Sequence, residues 1–223
     1  MTVCKPCTRM LLTLMLLLGA FAAAPAVLCA PARDAATTPA GAGLGDATVL
    51  IIRHAEKPAH GRMLTARGRA RAEAYVDYFE HLARRGQSLR PTTLIATADT
   101  ATSERPRLTL TPLAQALHLP LDLRYGKRQV RALVDALREG PRQRVVLVCW
   151  HHGQIPALLR AFGADPVRYL PHGRWPGAVF DWMLVLRFDA HGRLRAADSH
   201  RVLARVLPGD AATPASVGAA ARH

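Results

Sequence analysis

The sequence predicts a three-layer α/β/α sandwich whose central sheet is mainly parallel, with an antiparallel edge. Two apolar runs of strand length, residues 49–52 and 145–150, each break abruptly into histidine. That is the pattern of interior strands that deliver polar groups at their carboxyl ends. A helical stripe at Ile155, Leu158, Leu159 and Phe162 follows the second run. Asp189-Ala190-His191-Gly192 reads as a hairpin turn between strands in 178–188 and 194–207, which supplies the antiparallel edge.

The ends of the chain stand apart from this pattern. Lys5 and Arg9 precede an apolar stretch over 10–24, and Ala30-Pro31-Ala32 offers the small-x-small pattern of a signal-peptidase site. Residues 1–32 therefore read as an export signal, with an uncleaved membrane anchor as the alternative, and a periplasmic or secreted location is expected. Residues 33–47, rich in Ala, Thr, Pro and Gly, read as a flexible leader. A single domain is expected over 48–207 and a disordered tail over 208–223. Half of the residues are hydrophobic, enough for a layered core. Cys4, Cys7 and Cys29 fall in the signal, leaving Cys149 alone in a strand, so no disulfide is expected.

Within the domain, Thr65 caps a helix along which Ala66, Ala70, Ala74, Tyr78 and Leu82 recur, closed by Arg84-Arg85-Gly86. Residues 93–97 form a second strand leading through a polar loop to Arg105. Leu108, Leu110 and Leu113 then turn inward, and Pro112 implies a kink or a restart. A peripheral strand is expected in 119–125, a short helix over 130–137 and a loop over 169–177. Lys127 and Arg128 read as surface charge, with a place facing substrate as the alternative, and Trp175 reads as packing, with a part in specificity beside His172 as the alternative.

If the two histidine-terminated strands are parallel, His54 meets His151 or His152 at one rim of the sheet. Arg53, and a helix beginning near Gly153, would there supply donors for an anion. The combination describes a phosphate pocket containing a nucleophile.

Four motifs occur in order: Arg53-His54-Ala55-Glu56, Leu64-Thr65-Ala66-Arg67-Gly68, Arg105-Pro106-Arg107-Leu108-Thr109, and the strand before His151. Together they resemble the histidine phosphatase superfamily, of phosphoglycerate mutase-like fold. The resemblance implies a metal-independent phosphoric monoester hydrolase without a cofactor, acting on a small-molecule phosphate ester. His54 would attack phosphorus, and water would then hydrolyse the phosphohistidine. Arg53, Arg105 and the second histidine would hold the phosphoryl oxygens. Strand length and the position of Ile155 select His151 as that histidine, whereas the family's His-Gly pair selects His152. His152 and Lys57 are expected to contact substrate. Gly153 occupies the position of one branch's acidic residue, so Glu56, with Asp99 as alternative, is expected to protonate the leaving group.

The formal charge of +14, two units of which are Lys5 and Arg9, leaves +12 after removal of the signal. Because the arginines are scattered, no specific nucleic-acid partner is expected, and weak association with an anionic membrane surface stays open. Two other readings are compatible with the same residues: a degenerate protein that binds a phosphorylated ligand without turnover, and a metal site formed by His54, His60, His151 and His152. The natural ester and the oligomeric state are left open.

Overall fold

The computed structural model describes residues 43–210. The export signal expected over 1–32 and most of the expected tail lie outside the described residues. Strand β1 (Thr48–Arg53) is buried along its whole length. It pairs in parallel with β6 (Val145–Trp150), from Thr48 opposite Val145 to Arg53 opposite Trp150. β6 is flanked on its other side by β4 (Thr93–Ala96), also parallel, and β4 by the two-residue strand β5 (Leu121–Asp122).

On the opposite side of β1 lies β7 (Trp182–Arg187), antiparallel, followed by β8 (His200–Leu203). The complete order is β5-β4-β6-β1-β7-β8. The expected turn is present: the Asp189 carboxylate accepts from the backbone N–H groups of His191 and Arg193, and Gly192 takes φ 72°. β8 begins later than expected because the chain returns through a loop after the Phe188–Leu194 bridge.

Alternate strand residues feed two cores, as the period of two requires. Val49, Ile51, Val146 and Val148 pack against α3 (Val130–Glu139) and α4 (Ile155–Ala161). Leu50, Ile52, Leu147 and Cys149 pack against α1 (Ala66–Glu80) and α2 (Arg105–Leu117). Helices thus cover both faces, which is why the central strands read as continuous apolar runs.

Five expectations are corrected. Leu44 and Ala47, assigned to a flexible leader, are 1 % exposed, and the Gly43 N–H donates to the Gly140 carbonyl at 2.8 Å; packing therefore begins before Thr48. At the other end Asp210, assigned to the tail, is ion-paired with buried Arg71 at 2.6 Å.

Helix α1 buries Gly68, Arg71, Ala72, Tyr75 and Phe79, while Ala66 and Ala70 face solvent. The aromatic rings and a paired arginine decide the face, and the alanine spacing does not. The same helix stops at Glu80, and the segment expected to cap it forms a hairpin of β2 (Ala83–Arg84) and β3 (Gln87–Ser88).

Pro112 neither ends nor restarts α2. The helix runs through it, and the hydroxyl of Thr111 donates to the Arg107 carbonyl at 2.9 Å.

Candidate active site

The site follows from strand register. Because Arg53 lies opposite Trp150 in a parallel pair, the next residue of each strand emerges side by side. His54 and His151 consequently meet edge to face, their ring centroids 5.3 Å apart. His152 instead opens a short 3-10 turn (His152–Gln154), so His151 is the histidine that faces His54.

The His54 ring is oriented from behind. Its Nδ1 lies 2.7 Å from the Ala55 carbonyl oxygen. A carbonyl only accepts, so Nδ1 carries the proton and the neutral ring keeps its lone pair on Nε2. Burial, only partly opposed by that hydrogen bond and reinforced by Arg53, His151 and Arg105, pushes the His54 pKa down to about 3. Burial and then Lys127, Arg105, His152 and Arg53 push His151 down to about 4. Burial, with Arg53 and Lys57, also lowers His152. At neutral pH the nucleophile candidate is therefore an uncharged imidazole among cations.

Two of those cations hold unsatisfied donors. Arg53 is 1 % exposed, and its Nη1 donates to the carbonyls of Gly177 (2.7 Å) and Val179 (2.9 Å) while its guanidinium lies over the Phe180 ring. Its Nε is buried without a protein acceptor among the described residues. Arg105 opens α2, donates from Nη1 to the Gly61 carbonyl at 2.8 Å, and likewise keeps a buried, unpartnered Nε. A cation at a helix amino terminus opposes the helix dipole unless an anion joins it.

The motifs acquire physical reasons here. Thr109 accepts the Ala55 N–H at 2.9 Å and donates to the Arg105 carbonyl at 2.8 Å, tying the backbone beside His54 to the turn that carries Arg105. Thr65 caps α1 through the Gly68 N–H at 3.0 Å. A Cβ on Gly68 would overlap the carbonyl oxygen of Glu56, so this close approach of α1 to the strand end requires glycine.

Glu56, expected to be the proton donor, is held by arginines. Both of its oxygens accept from Arg71 Nε, at 3.1 and 3.0 Å, and Arg71 Nη2 adds a bond at 2.7 Å. Arg67 lies 3.3 Å from the same carboxylate. The carboxylate is thus turned to α1 and anchors the strand end. The alternative, Asp99, is exposed and takes Arg107 Nε at 2.6 Å.

Lys57 is exposed and acts electrostatically on His152. Lys127, read as surface charge, is the cation that acts most strongly on His151. Its backbone carbonyl accepts Trp150 Nε1 at 3.1 Å, a tether no sequence pattern announces. His60 is exposed, and among the described residues no three His, Cys, Asp or Glu side chains converge on a metal position. The four-histidine metal site is therefore not formed. Beside His152 opens a cleft of about 940 Å³ bordered by Pro156, Arg160, His172 and Arg174. Trp175 also borders it but is buried, with Nε1 donating to the Val179 carbonyl at 2.9 Å.

No protein-family model and no curated protein matches the sequence. Solved structures similar to the chain include one from Agrobacterium tumefaciens assigned as the phosphohistidine phosphatase SixA. It shares 22 % identity over 63 % of this chain and 90 % of its own, with a TM-score of 0.43. A protein histidine phosphatase SixA complexed with tungstate shares 18 % identity over 66 % of this chain and 92 % of its own, with a TM-score of 0.45. A phosphoserine phosphatase from Entamoeba histolytica in complex with 3-phosphoglyceric acid shares 11 % identity over 71 % of this chain and 98 % of its own, with a TM-score of 0.49.

Proposed function

We propose that the protein is a metal-independent phosphatase that hydrolyses phosphate esters through a phosphohistidine on His54. The observation that carries this reading is the His54 ring itself. Its Nδ1–H is committed to the Ala55 carbonyl, which leaves Nε2 as the free lone pair beside His151. Attack of that lone pair on phosphorus forms the N–P bond as the ester P–O bond breaks, and water later cleaves N–P to release phosphate. Arg53, Arg105 and His151 are the groups proposed to hold the phosphoryl oxygens. Fixed donors at that position are worth roughly a hundredfold or more in rate each.

Both carboxylates considered as the proton donor are taken up by arginines, Glu56 by Arg71 and Asp99 by Arg107. The reading therefore favours leaving groups that depart without a proton from the enzyme, such as aryl oxides. The cleft beside His152 would take the remainder of such a substrate. Residues 1–32 are proposed to export the enzyme, which the amino-terminal sequence of the protein recovered outside the cytoplasm would test.

The experiment is phosphate release from an aryl phosphate between pH 4 and 8 with EDTA present, comparing wild type with His54→Ala. Activity that resists chelation and disappears in the variant supports the proposal. Equal inactivity of two folded proteins supports the rival reading, a phosphate-binding protein without turnover, which the pairing of both Glu56 and Asp99 with arginines favours.

A further inference from the structure

A second concave site lies at the far rim of the sheet. A cleft of about 920 Å³ is bordered by Tyr78, Leu82, Arg84, Arg85, Arg187 and Arg195. Arg187 ends β7 and lies opposite Thr48 at the start of β1, whereas His54 follows the end of β1. Along β1 the Arg187 end of the cleft lies roughly 20 Å from His54 at ~3.3 Å per residue.

Asp198 also borders the cleft and compensates one of its four arginines. Arg195 pairs with Asp198 at 2.6 Å. Arg187 donates to the neutral Gln87 amide oxygen at 2.6 Å. Among the described residues no carboxylate pairs with Arg84, Arg85 or Arg187. Arg84 also acts on Tyr78, opposing the rise that burial imposes on its phenol. Like charges gathered in a cleft repel one another unless an anion joins them.

The backbone gives an independent indication. Arg85 and Gly86 join β2 to β3 with φ 51° and φ 75°. A two-residue hairpin of this hand favours Asn or Gly at the first position, where Arg carries the crowding of its Cβ against the following carbonyl. An arginine is thus held against its conformational preference at the border of the cleft.

We propose that this cleft is a second anion-binding site, separate from the catalytic centre, for an organic molecule carrying two adjacent phosphate groups. Three guanidiniums without a carboxylate partner among the described residues match the charge of a diphosphate, and Tyr78 and Leu82 offer an apolar wall to its carbon part. The volume is that of a small-ligand pocket. Concavity selects a discrete soluble ligand over a planar bilayer presenting the same phosphates.

The test is calorimetric titration of the purified protein with methylenediphosphonate and with adenosine α,β-methylene diphosphate. Their P–C–P bridges keep His54 chemistry out of the measurement. Arg84→Gln/Arg187→Gln is expected to lose one diphosphonate site per chain while aryl phosphate hydrolysis is unchanged. Arg85→Gly is expected to weaken that site about tenfold yet raise the melting temperature, since glycine relieves the turn. Unaltered stoichiometry and affinity in both variants would overturn the proposal. So would Arg-dependent binding to vesicles of anionic phospholipid that neither soluble diphosphonate competes away. Because the readout is binding at the far rim, it stands whether or not His54 proves catalytic.

Discussion

Arg71 offers a quantitative test of why the strand-end loop holds its shape. Its side chain is 2 % exposed, and it bridges Glu56 (13 % exposed) and Asp210 (3 % exposed) with five hydrogen bonds of 2.6 to 3.1 Å. Burial alone would lower its pKa, but the bonds to Asp210 and Glu56 outweigh that and raise it. Replacing it with Met leaves two carboxylates facing each other, with only half-exposed Arg67 nearby. Breaking a buried pair from one side costs about 3–5 kcal/mol. For a domain of this size that corresponds to a melting temperature lower by roughly 6–20 °C.

The assay is thermal unfolding of Arg71→Met, together with Glu56→Gln measured for both stability and turnover. Glu56→Gln should unfold at lower temperature, keep its rate on aryl phosphate within about fivefold, and leave the alkyl-to-aryl rate ratio unchanged. A Glu56→Gln variant with wild-type stability that has lost alkyl esters selectively would return Glu56 to the role of proton donor and refute this reasoning. So would an Arg71→Met protein that melts with the wild type.

Three further outcomes follow from the same structure. Thr109→Val orphans the buried Ala55 N–H and should cost about 1–3 kcal/mol and a measurable part of the turnover rate, whereas Thr109→Ser should retain both; urea unfolding and aryl phosphate kinetics read the two effects. Gly68→Ala should cost a similar ~1–3 kcal/mol, because its methyl group displaces the Glu56 carbonyl that closes the loop; guanidinium unfolding measures it.

His54 and His151 are depressed in the folded state to about 3 and about 4, against 6.5 when unfolded. The unfolded chain thus binds more protons between those values, so their contribution is complete above pH 6.5 and is lost as pH falls toward the folded pKa values. Asp210 is also depressed: burial raises it, but Arg71 and the Leu207 N–H outweigh that. Its contribution is complete above the usual carboxylate pKa and is lost below about pH 4. Stability should accordingly decline between pH 6.5 and 4.5 through the histidines. Ring NMR signals of His54 and His151 should stay those of neutral imidazole down to pH 5; titration of either near pH 6.5 would contradict the assigned burial.

What the sequence reveals and what it hides divide along physical lines. Two apolar runs ending in histidine suffice to anticipate a parallel pair, because burial on both faces leaves no room for polar alternation. The His54–His151 contact then follows from register. Arg71 stays hidden because an arginine within a helix reads as solvent-facing, and its partner Asp210 is 139 residues away in a stretch of tail-like composition. The hairpin at 83–88 is masked by Arg84-Arg85-Gly86, whose cations and glycine imitate a helix end. Arg53 reads from the sequence as an anion donor beside His54, but its contacts with the carbonyls of Pro176, Gly177 and Val179 under Phe180 depend on a loop more than 120 residues away. Backbone acceptors carry no sequence signature.

The central claim concerns one nitrogen atom, and the most direct measurement is capture of the covalent intermediate. Protein mixed with an aryl phosphate is quenched in alkali, where a phosphoramidate survives, then digested and analysed by mass spectrometry. The account predicts one phosphoryl group, on the peptide containing His54 and on Nε2 of that ring, formed within a turnover and absent from His54→Ala. Phosphate release by a folded enzyme with no phosphohistidine at any time point, or with the phosphoryl group on His151, would contradict it.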